Sequence, residues 1–219
     1  MKVCLSSDLH GNLKAASYLV GSAQALDCSL ILIAGDLSSW TDSKSYFRVA
    51  EELSKFEGGA LAVLGNSDFP ELLGVESRGI SLLHGTCKVV GDVAFVGVGG
   101  VPPSPYPSYF TLSEGDIGSL LERAADSCGA GLLVSVTHVP PLGVLDLTRD
   151  GSNAGSRAVL DFIRRRAPAL HVAGHIHEAR GVANVSRTTV VNPGPLAVGD
   201  PIYVADMSRS GVKVSALKP

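Results

Sequence analysis

The sequence predicts an α/β fold built on parallel strands, and three observations carry that prediction. Short apolar runs recur at residues 3–5, 29–34 and 60–64. Between them lie two stretches whose apolar residues return at the spacing of a helix, so strands alternate with helices, as in βαβ units. Each run also breaks off into Gly, Asp, His or Asn and not into a hairpin turn.

The first run ends in Asp8, Leu9, His10, Gly11 and Asn12. Leu13, Ala16, Leu19, Val20, Ala23 and Leu26 then fall on one helical face, with Asn12 as a good N-cap. That helix start lies beside Asp8 and His10, where free N–H groups favour an anion. Residues 29–34 form the second strand, closed by Gly35 and Asp36. Tyr46, Val49, Ala50, Leu53 and Phe56 mark a second helix, with Asp42 as its cap. The third strand, 60–64, runs into Gly65, Asn66, Ser67 and Asp68.

The middle of the chain changes character. Residues 80–83 and 88–98 read as short strands, with a tight turn at Gly91 and Asp92. The proline-rich stretch 101–107 can be neither helix nor central strand and is loop. Its neighbourhood could line a substrate groove through Tyr106 or Tyr109, or serve only as a rigid connection. A helix over 113–127, capped by Ser113, precedes a strand at 132–136 that ends in Thr137 and His138. A long Pro-, Gly- and Asp-rich loop covers 139–155. A helix over 156–166 ends in three arginines, which a helix C-terminus favours, more readily than it makes a basic patch. Residues 170–173 form a strand ending in Gly174, His175, Ile176 and His177. The remainder is hairpin-like: 188–191 into Asn192-Pro193-Gly194-Pro195, then 202–206, a turn at 208–211, and 212–217.

At 219 residues, with 45% hydrophobic and 18% charged residues, the chain can bury a substantial core, and one domain over 1–219 is expected. No apolar run is long enough to span a bilayer, and no h-region of a signal peptide stands at the start, so a cytoplasmic location and no membrane partner are expected. The net charge of −3 and pI near 6.0 argue against an extended nucleic-acid surface. A small anionic substrate stays compatible, because the formal count omits bound cations. Cys4, Cys28, Cys87 and Cys128 are widely spaced with no CxxC pair, and are expected to be reduced thiols.

Five strand ends carry residues of metal-ligand type: Asp8 and His10; Asp36; Asn66; His138; His175 and His177. Taken singly, each has a plain structural explanation as a turn residue or a buried histidine. Together, in this order and all at strand ends, they point to one site beyond the carboxyl edge of the strands. Seven N and O ligands exceed what one ion with an open position needs, and suit two ions sharing a carboxylate. The mixture of imidazole, carboxylate and amide fits Mn, Fe, Co, Ni or Zn, and no thiolate joins it. His84 and His171 lie outside the pattern and are read as structural.

The chain resembles the calcineurin-like metallophosphoesterases, whose pattern runs D-x-H, G-D, G-N-H-[ED], H and G-H-x-H. Here it reads Asp8-Leu9-His10, Gly35-Asp36, Gly65-Asn66-Ser67-Asp68, His138 and Gly174-His175-Ile176-His177. The stretch from Thr137 to Gly194 also resembles a branch that includes animal metallophosphoesterase-domain proteins with phosphodiesterase activity. The resemblance implies a four-layer fold, a β-sandwich of two mixed sheets flanked by helices. It implies two divalent transition metals, with manganese favoured. One would sit on Asp8, His10 and His177, the other on Asn66, His138 and His175, and Asp36 would bridge them. It also implies a hydroxide between the metals that attacks phosphorus in line, with catalysis resting on Asp36, Asn66 and His10.

Ser67 departs from the pattern, since many members carry His there. That His often contacts the phosphate or protonates the leaving group, and Ser67 cannot act as an acid near neutral pH. Substrate contacts are expected from Asn66 and Ser67, and from Asn153 and Arg149 in the loop after His138. The resulting expectation is a metal-dependent phosphoesterase acting on small phosphodiesters in preference to monoesters. The rivals are a nuclease of the same superfamily and a non-catalytic scaffold on the same fold.

Overall fold

The computed structural model describes residues 1–129, 131–208 and 211–217. Twelve strands and four α-helices follow in the order β1 (Lys2–Ser6), α1 (Leu13–Ala25), β2 (Leu30–Ile33), α2 (Ser45–Leu53), β3 (Ala60–Ala62), β4 (Ile80–Leu82), β5 (Thr86–Val90), β6 (Val93–Val98), α3 (Glu114–Ser127), β7 (Leu132–Thr137), α4 (Arg157–Arg166), β8 (Leu170–Val172), β9 (Gly181–Val185), β10 (Thr188–Asn192), β11 (Ile202–Ser208) and β12 (Gly211–Leu217). They form two mixed six-stranded sheets, ordered β12-β11-β1-β2-β3-β4 and β5-β6-β7-β8-β10-β9. In the first sheet β1 to β4 run parallel, and β11 and β12 add antiparallel at one side. In the second, β6, β7, β8 and β10 are parallel, and β5 and β9 close the two edges antiparallel.

Alternation along the strands explains why the chain makes four layers. Successive side chains of a strand point to opposite faces. On β1 and β2, Val3, Leu5, Leu30 and Leu32 enter the core between the sheets, where Phe95, Val134, Val136, Leu170 and Val172 meet them. The intervening Cys4, Ile31 and Ile33 turn outward and are covered by Leu19, Ala23, Tyr46, Val49 and Leu53 of α1 and α2. On the second sheet Val96, Val98 and Val190 face outward under Ile117, Leu121, Val159, Phe162 and Ile163 of α3 and α4. Strands buried on both faces must be apolar throughout, which is why these runs lack a polar alternation.

The helix starts match their caps with one exception. Asn12 Oδ1 accepts from the N–H groups of Lys14 and Ala15, Ser113 Oγ from Asp116, and Ser156 Oγ from Val159. Asp42 is not the cap of α2. It lies two residues before the Lys44 N-cap, accepts from the Lys44 N–H, and receives Arg48 at 2.7 Å. An aspartate can close an Asx turn just upstream of a helix as readily as it caps one, and spacing alone does not separate the two. The strand β9 has no counterpart in the sequence reading: its five residues, half-buried and exposed by turns and holding Gly181 and Asn184, give a weak apolar signal, and only pairing with β10 defines it. The 208–211 turn lies partly outside the described residues; Ser208 and Gly211 pair across its ends.

The cysteines correct the sequence reading. Cys4 is bonded to Cys28 and Cys87 to Cys128, with Cα–Cα separations of 5.9 and 5.7 Å. Cys4 lies on β1, and Cys28 enters the neighbouring strand β2, so parallel pairing brings two thiols 24 residues apart into contact. Spacing in the sequence carries no trace of that adjacency. None of the helices among the described residues is long and apolar enough to cross a membrane.

Candidate metal centre

The parallel strands β1, β2 and β3 of one sheet, and β7 and β8 of the other, end on the same side of the molecule. The two edges are tied together there. His138 Nδ1, after β7, donates to Ala34 O, after β2, at 2.7 Å. The Gly174 N–H, after β8, donates to His138 O at 2.9 Å, and the Asp8 N–H donates to Gly35 O at 3.0 Å. Five strand ends therefore converge on one point.

Two groups of donor atoms meet there, each within 4.8 Å of one another: Asp8, His10 and His177, and Asp8, Asp36 and His138. Asp8 belongs to both. Asp36 also reaches across, with Oδ1 3.5 Å from His138 Nε2 and Oδ2 3.7 Å from His10 Nε2. Asn66 Oδ1 lies 2.9 Å from His138 Nε2. The His175 ring lies against that of His138, centroids 5.1 Å apart, and His175 belongs to neither group. All seven residues singled out in the sequence thus share one neighbourhood.

The backbone there is bent to bring side chains inward. Asp8, His10, Asp36 and His175 all have positive φ, at 54°, 45°, 52° and 66°. Left-handed residues other than glycine are uncommon, and Asp and His tolerate the region better than most. The glycines beside them are required by contact. A Cβ at Gly65 would lie 2.5 Å from the Asp36 nitrogen and overlap its carboxylate, and one at Gly174 would run into Ser7 and Asp8.

Polar contacts around the cluster orient it. Asp68 is fully buried and accepts from the N–H groups of Leu37, Ser38 and Gly65 and from the Ser38 hydroxyl. It staples the loop bearing Asp36 to the loop bearing Asn66. Burial and the neighbouring Asp36 carboxylate push its pKa up to about 6, against those four donors. Asn192, at the end of β10, donates to Ile176 O at 2.9 Å and so fixes the residue between His175 and His177.

Electrostatics in the cluster favour a cation. With His138 Nδ1 donating to Ala34 O, neutral His138 turns a bare Nε2 toward the oxygens of Asn66 and Asp36. Burial opposes the charged form of His138, yet Asp36 and Asp8 outweigh it and raise its pKa. Asp8 is lowered: burial works against ionisation, and the hydrogen bond from His177 and the charge on His138 overcome it. His177 is raised by that same hydrogen bond, 3.2 Å long. His175 goes the other way, down to about 3, through burial and then its neighbour His138. Asp8 Oδ2 and His10 Nε2 are buried with no hydrogen-bond partner among the described residues. Buried carboxylate and imidazole atoms left bare around one point are a donor set that divalent ions complete. The side chains of His177 and His10, 43% and 21% exposed, open this cluster to solvent.

The expected substrate contacts fare differently. Asn66 stands in the cluster. Ser67 is fully buried; its N–H donates to Asp36 Oδ1, and its hydroxyl lies 3.3 Å from Ser38 O and 3.5 Å from His10 Nδ1. It supports His10 from beneath. Asn153 spends its amide on Asp146 Oδ1, and Asp146 also holds Gly143 and Gly155, so this aspartate, missed in the sequence, organises the 139–155 loop. Arg149 is exposed, and its N–H donates to Glu178, next to His177, which brings the loop to the rim of the site. The N-terminus of α1 has little left for an anion, because Asn12 already caps it. His171 and His84 are structural: His171 bridges Ser135 and Thr137, and His84 accepts from the Gly99 N–H. Arg165 and Arg166 pair with Glu122 and Asp126 of α3 and form no free basic patch.

Comparison with known proteins places this arrangement among others. A family model, the calcineurin-like phosphoesterase superfamily domain, matches residues 1–205. An uncharacterized protein of Methanocaldococcus jannaschii is 27% identical over 201 residues, which cover 89% of this chain and 88% of that protein. Human metallophosphoesterase domain-containing protein 1 is 44% identical over 64 residues, 28% of this chain and 20% of that protein. Among solved structures, an archaeal phosphodiesterase superposes with a TM-score of 0.59 at 16% identity, covering 99% of this chain and 100% of that one; this likeness is one of fold.

Proposed function

This chain belongs to the calcineurin-like phosphoesterase superfamily, a family of metal-dependent phosphoesterases, and from that membership we propose that it is a phosphodiesterase of small substrates. The observation that carries the reading is the pair of donor groups sharing Asp8, with bare buried atoms on Asp8 and His10. Asp8, His10 and His177 would hold one divalent ion, and Asn66, His138 and His175 the other, with Asp36 between them. Bound there, two such ions supply charge neutralisation and a water acidified toward neutral pH.

The remaining work falls to the chain. Neutral His138 keeps its Nε2 bare because its Nδ1–H donates to Ala34 O. When the Ser67 hydroxyl donates to Ser38 O, its lone pair faces His10 Nδ1 at 3.5 Å and favours the tautomer with the proton there, which leaves His10 Nε2 bare as well. A hydrogen bond on one ring nitrogen fixes the tautomer that the other presents. Asp68 and Asn192 hold the loops on which these residues sit.

Charge supports a diester over a monoester. Two divalent ions against Asp8, Asp36 and the attacking hydroxide would leave a single net positive charge, which the single charge of a diester balances. Arg180, three residues beyond His177, is paired with Asp200 and is not spare for a dianion.

The test is turnover of bis(4-nitrophenyl) phosphate and 4-nitrophenyl phosphate, with each metal supplied in turn and then chelated. The expected result is diester cleavage that exceeds monoester cleavage and is lost on chelation. A monoester preference would remove the diesterase reading. Full metal loading with no turnover of either ester would leave a binding scaffold on the same fold.

A further inference from the structure

Three aromatic rings from three loops meet beside the metal-ligand cluster. Trp40 lies four residues after Asp36, and Phe69 three residues after Asn66. Tyr109 comes from the loop between β6 and α3, and its N–H donates to Asn66 O at 2.9 Å. That bond fixes the aromatic loop directly to a candidate metal ligand. The Tyr109 ring stacks on Phe69, centroids 4.4 Å apart at 22°, and Trp40 tilts against Tyr109 at 5.7 Å and 43°.

Packing accounts for only part of this cluster. Phe69 is half-buried against the core of the first sheet and serves as its base. Trp40 and Tyr109 remain 36% and 49% exposed. Each is anchored through its own loop to the site: Ser38, two residues before Trp40, is held by Asp68, and Tyr109 by Asn66. Large rings kept in water on rigid supports beside a cluster of ligand atoms can receive another flat ring, because every aromatic presents a π-face.

We propose that Trp40 and Tyr109, resting on Phe69, form a stacking platform for a planar ester group of a phosphodiester, a nucleobase or an aryl ring, whose phosphate lies at the Asp8–Asp36 cluster. This rests on the phosphodiesterase reading and names the substrate class for the same site. The phosphate supplies attraction to the ions, and the platform supplies selection among esters of equal charge. Stacking on an aromatic side chain changes affinity by roughly 5–150-fold per ring.

The chain has one tryptophan, so its emission reports on the platform alone. Zinc-loaded protein is titrated with dimethylphosphinate, methyl(phenyl)phosphinate and a nucleoside methylphosphinate, each with the single charge of a diester and none of them a hydrolysable ester. Calorimetry gives affinity, and Trp40 emission gives contact. The ring-bearing ligands are expected to bind about tenfold tighter than dimethylphosphinate and to change Trp40 emission. Tyr109→Ala should remove that advantage, and Tyr109→Phe should keep it. A tighter nucleoside ligand assigns the platform to a nucleobase, and a tighter phenyl ligand assigns it to an aryl group. Equal affinity for ring-bearing and methyl ligands overturns the platform and leaves the phosphodiesterase reading standing. So does a ring advantage that survives in both Trp40→Ala and Tyr109→Ala. Failure of every phosphinate to bind the zinc-loaded protein removes the underlying reading, and the platform with it.

Discussion

Asp36 turns its two carboxylate oxygens in different directions, one toward His138 and one toward His10. An amide in its place keeps the shape and loses half of that reach. Asp36→Asn is therefore expected to weaken uptake of both metals, by at least about the tenfold that even an outer-shell partner is worth. His177→Ala should weaken one. Metal titration of the two variants in parallel checks this, and intact uptake of both ions by Asp36→Asn would end the bridging assignment. Ser67 sets the second expectation at this scale. Buried under His10, it cannot give the leaving oxygen a proton, so the acidity of the leaving group should control the rate. General acid catalysis is worth about 10²–10⁴-fold, and aryl diesters should outrun alkyl ones by a comparable margin. A flat rate across diesters of graded leaving-group pKa, with chemistry limiting, would show another proton donor. Ser67→His, which must push aside either Ser38 or His10, should lower metal uptake.

At the scale of elements, β7 and β8 are joined by more than their backbone ladder. His171 of β8 is fully buried between Ser135 and Thr137 of β7, and burial lowers its pKa from 6.5 to about 3. The sign follows from that depression. Below pH 6.5 the unfolded chain takes up a proton that folded His171 refuses, so stability falls as pH drops from 6.5 toward 3. Between pH 8 and pH 5 the loss from this residue should be about 2 kcal/mol. Urea unfolding of metal-free protein and His171→Gln at both pH values measures it: the stability difference between them should shrink by that amount on acidification. A constant difference would mean that His171 does not stay neutral in the fold. These two strands carry His138, His175 and His177 at their ends, so the same pair that buries His171 also positions three of the seven candidate ligands.

For the whole molecule, the centre is a link between layers. Its residues come from β1, β2 and β3 of one sheet and from β7 and β8 of the other. Ions that bind only the folded arrangement would clamp the two sheets at that edge. An ion supplied at a hundredfold its dissociation constant adds about 2.7 kcal/mol, or roughly 5–10 °C in Tm for a chain of this size. Thermal unfolding with and without metal, beside elemental analysis, is expected to show a rise reversed by chelation and saturation at two ions per chain. Saturation at one would exclude the binuclear centre.

The sequence by itself determined the alternation of strand and helix, because apolar periodicity and capping residues act over a few positions. It also marked the candidate donor set, because Asp8, His10, Asp36, Asn66, His138, His175 and His177 each follow an apolar run that has to end as a strand. Tertiary structure decided what depends on distant segments meeting. It split the strands into two sheets, paired Cys4 with Cys28 and Cys87 with Cys128, and gave β9 its place beside β10. It turned Ser67 inward beneath His10 and Asn153 toward Asp146, although both sit in polar loops that read as open to substrate. It also gathered Trp40, Phe69 and Tyr109 from three loops into one stack. A local pattern fixes which way a side chain leaves its own backbone. Which group meets it there is set by packing between layers, and no short stretch of sequence records that.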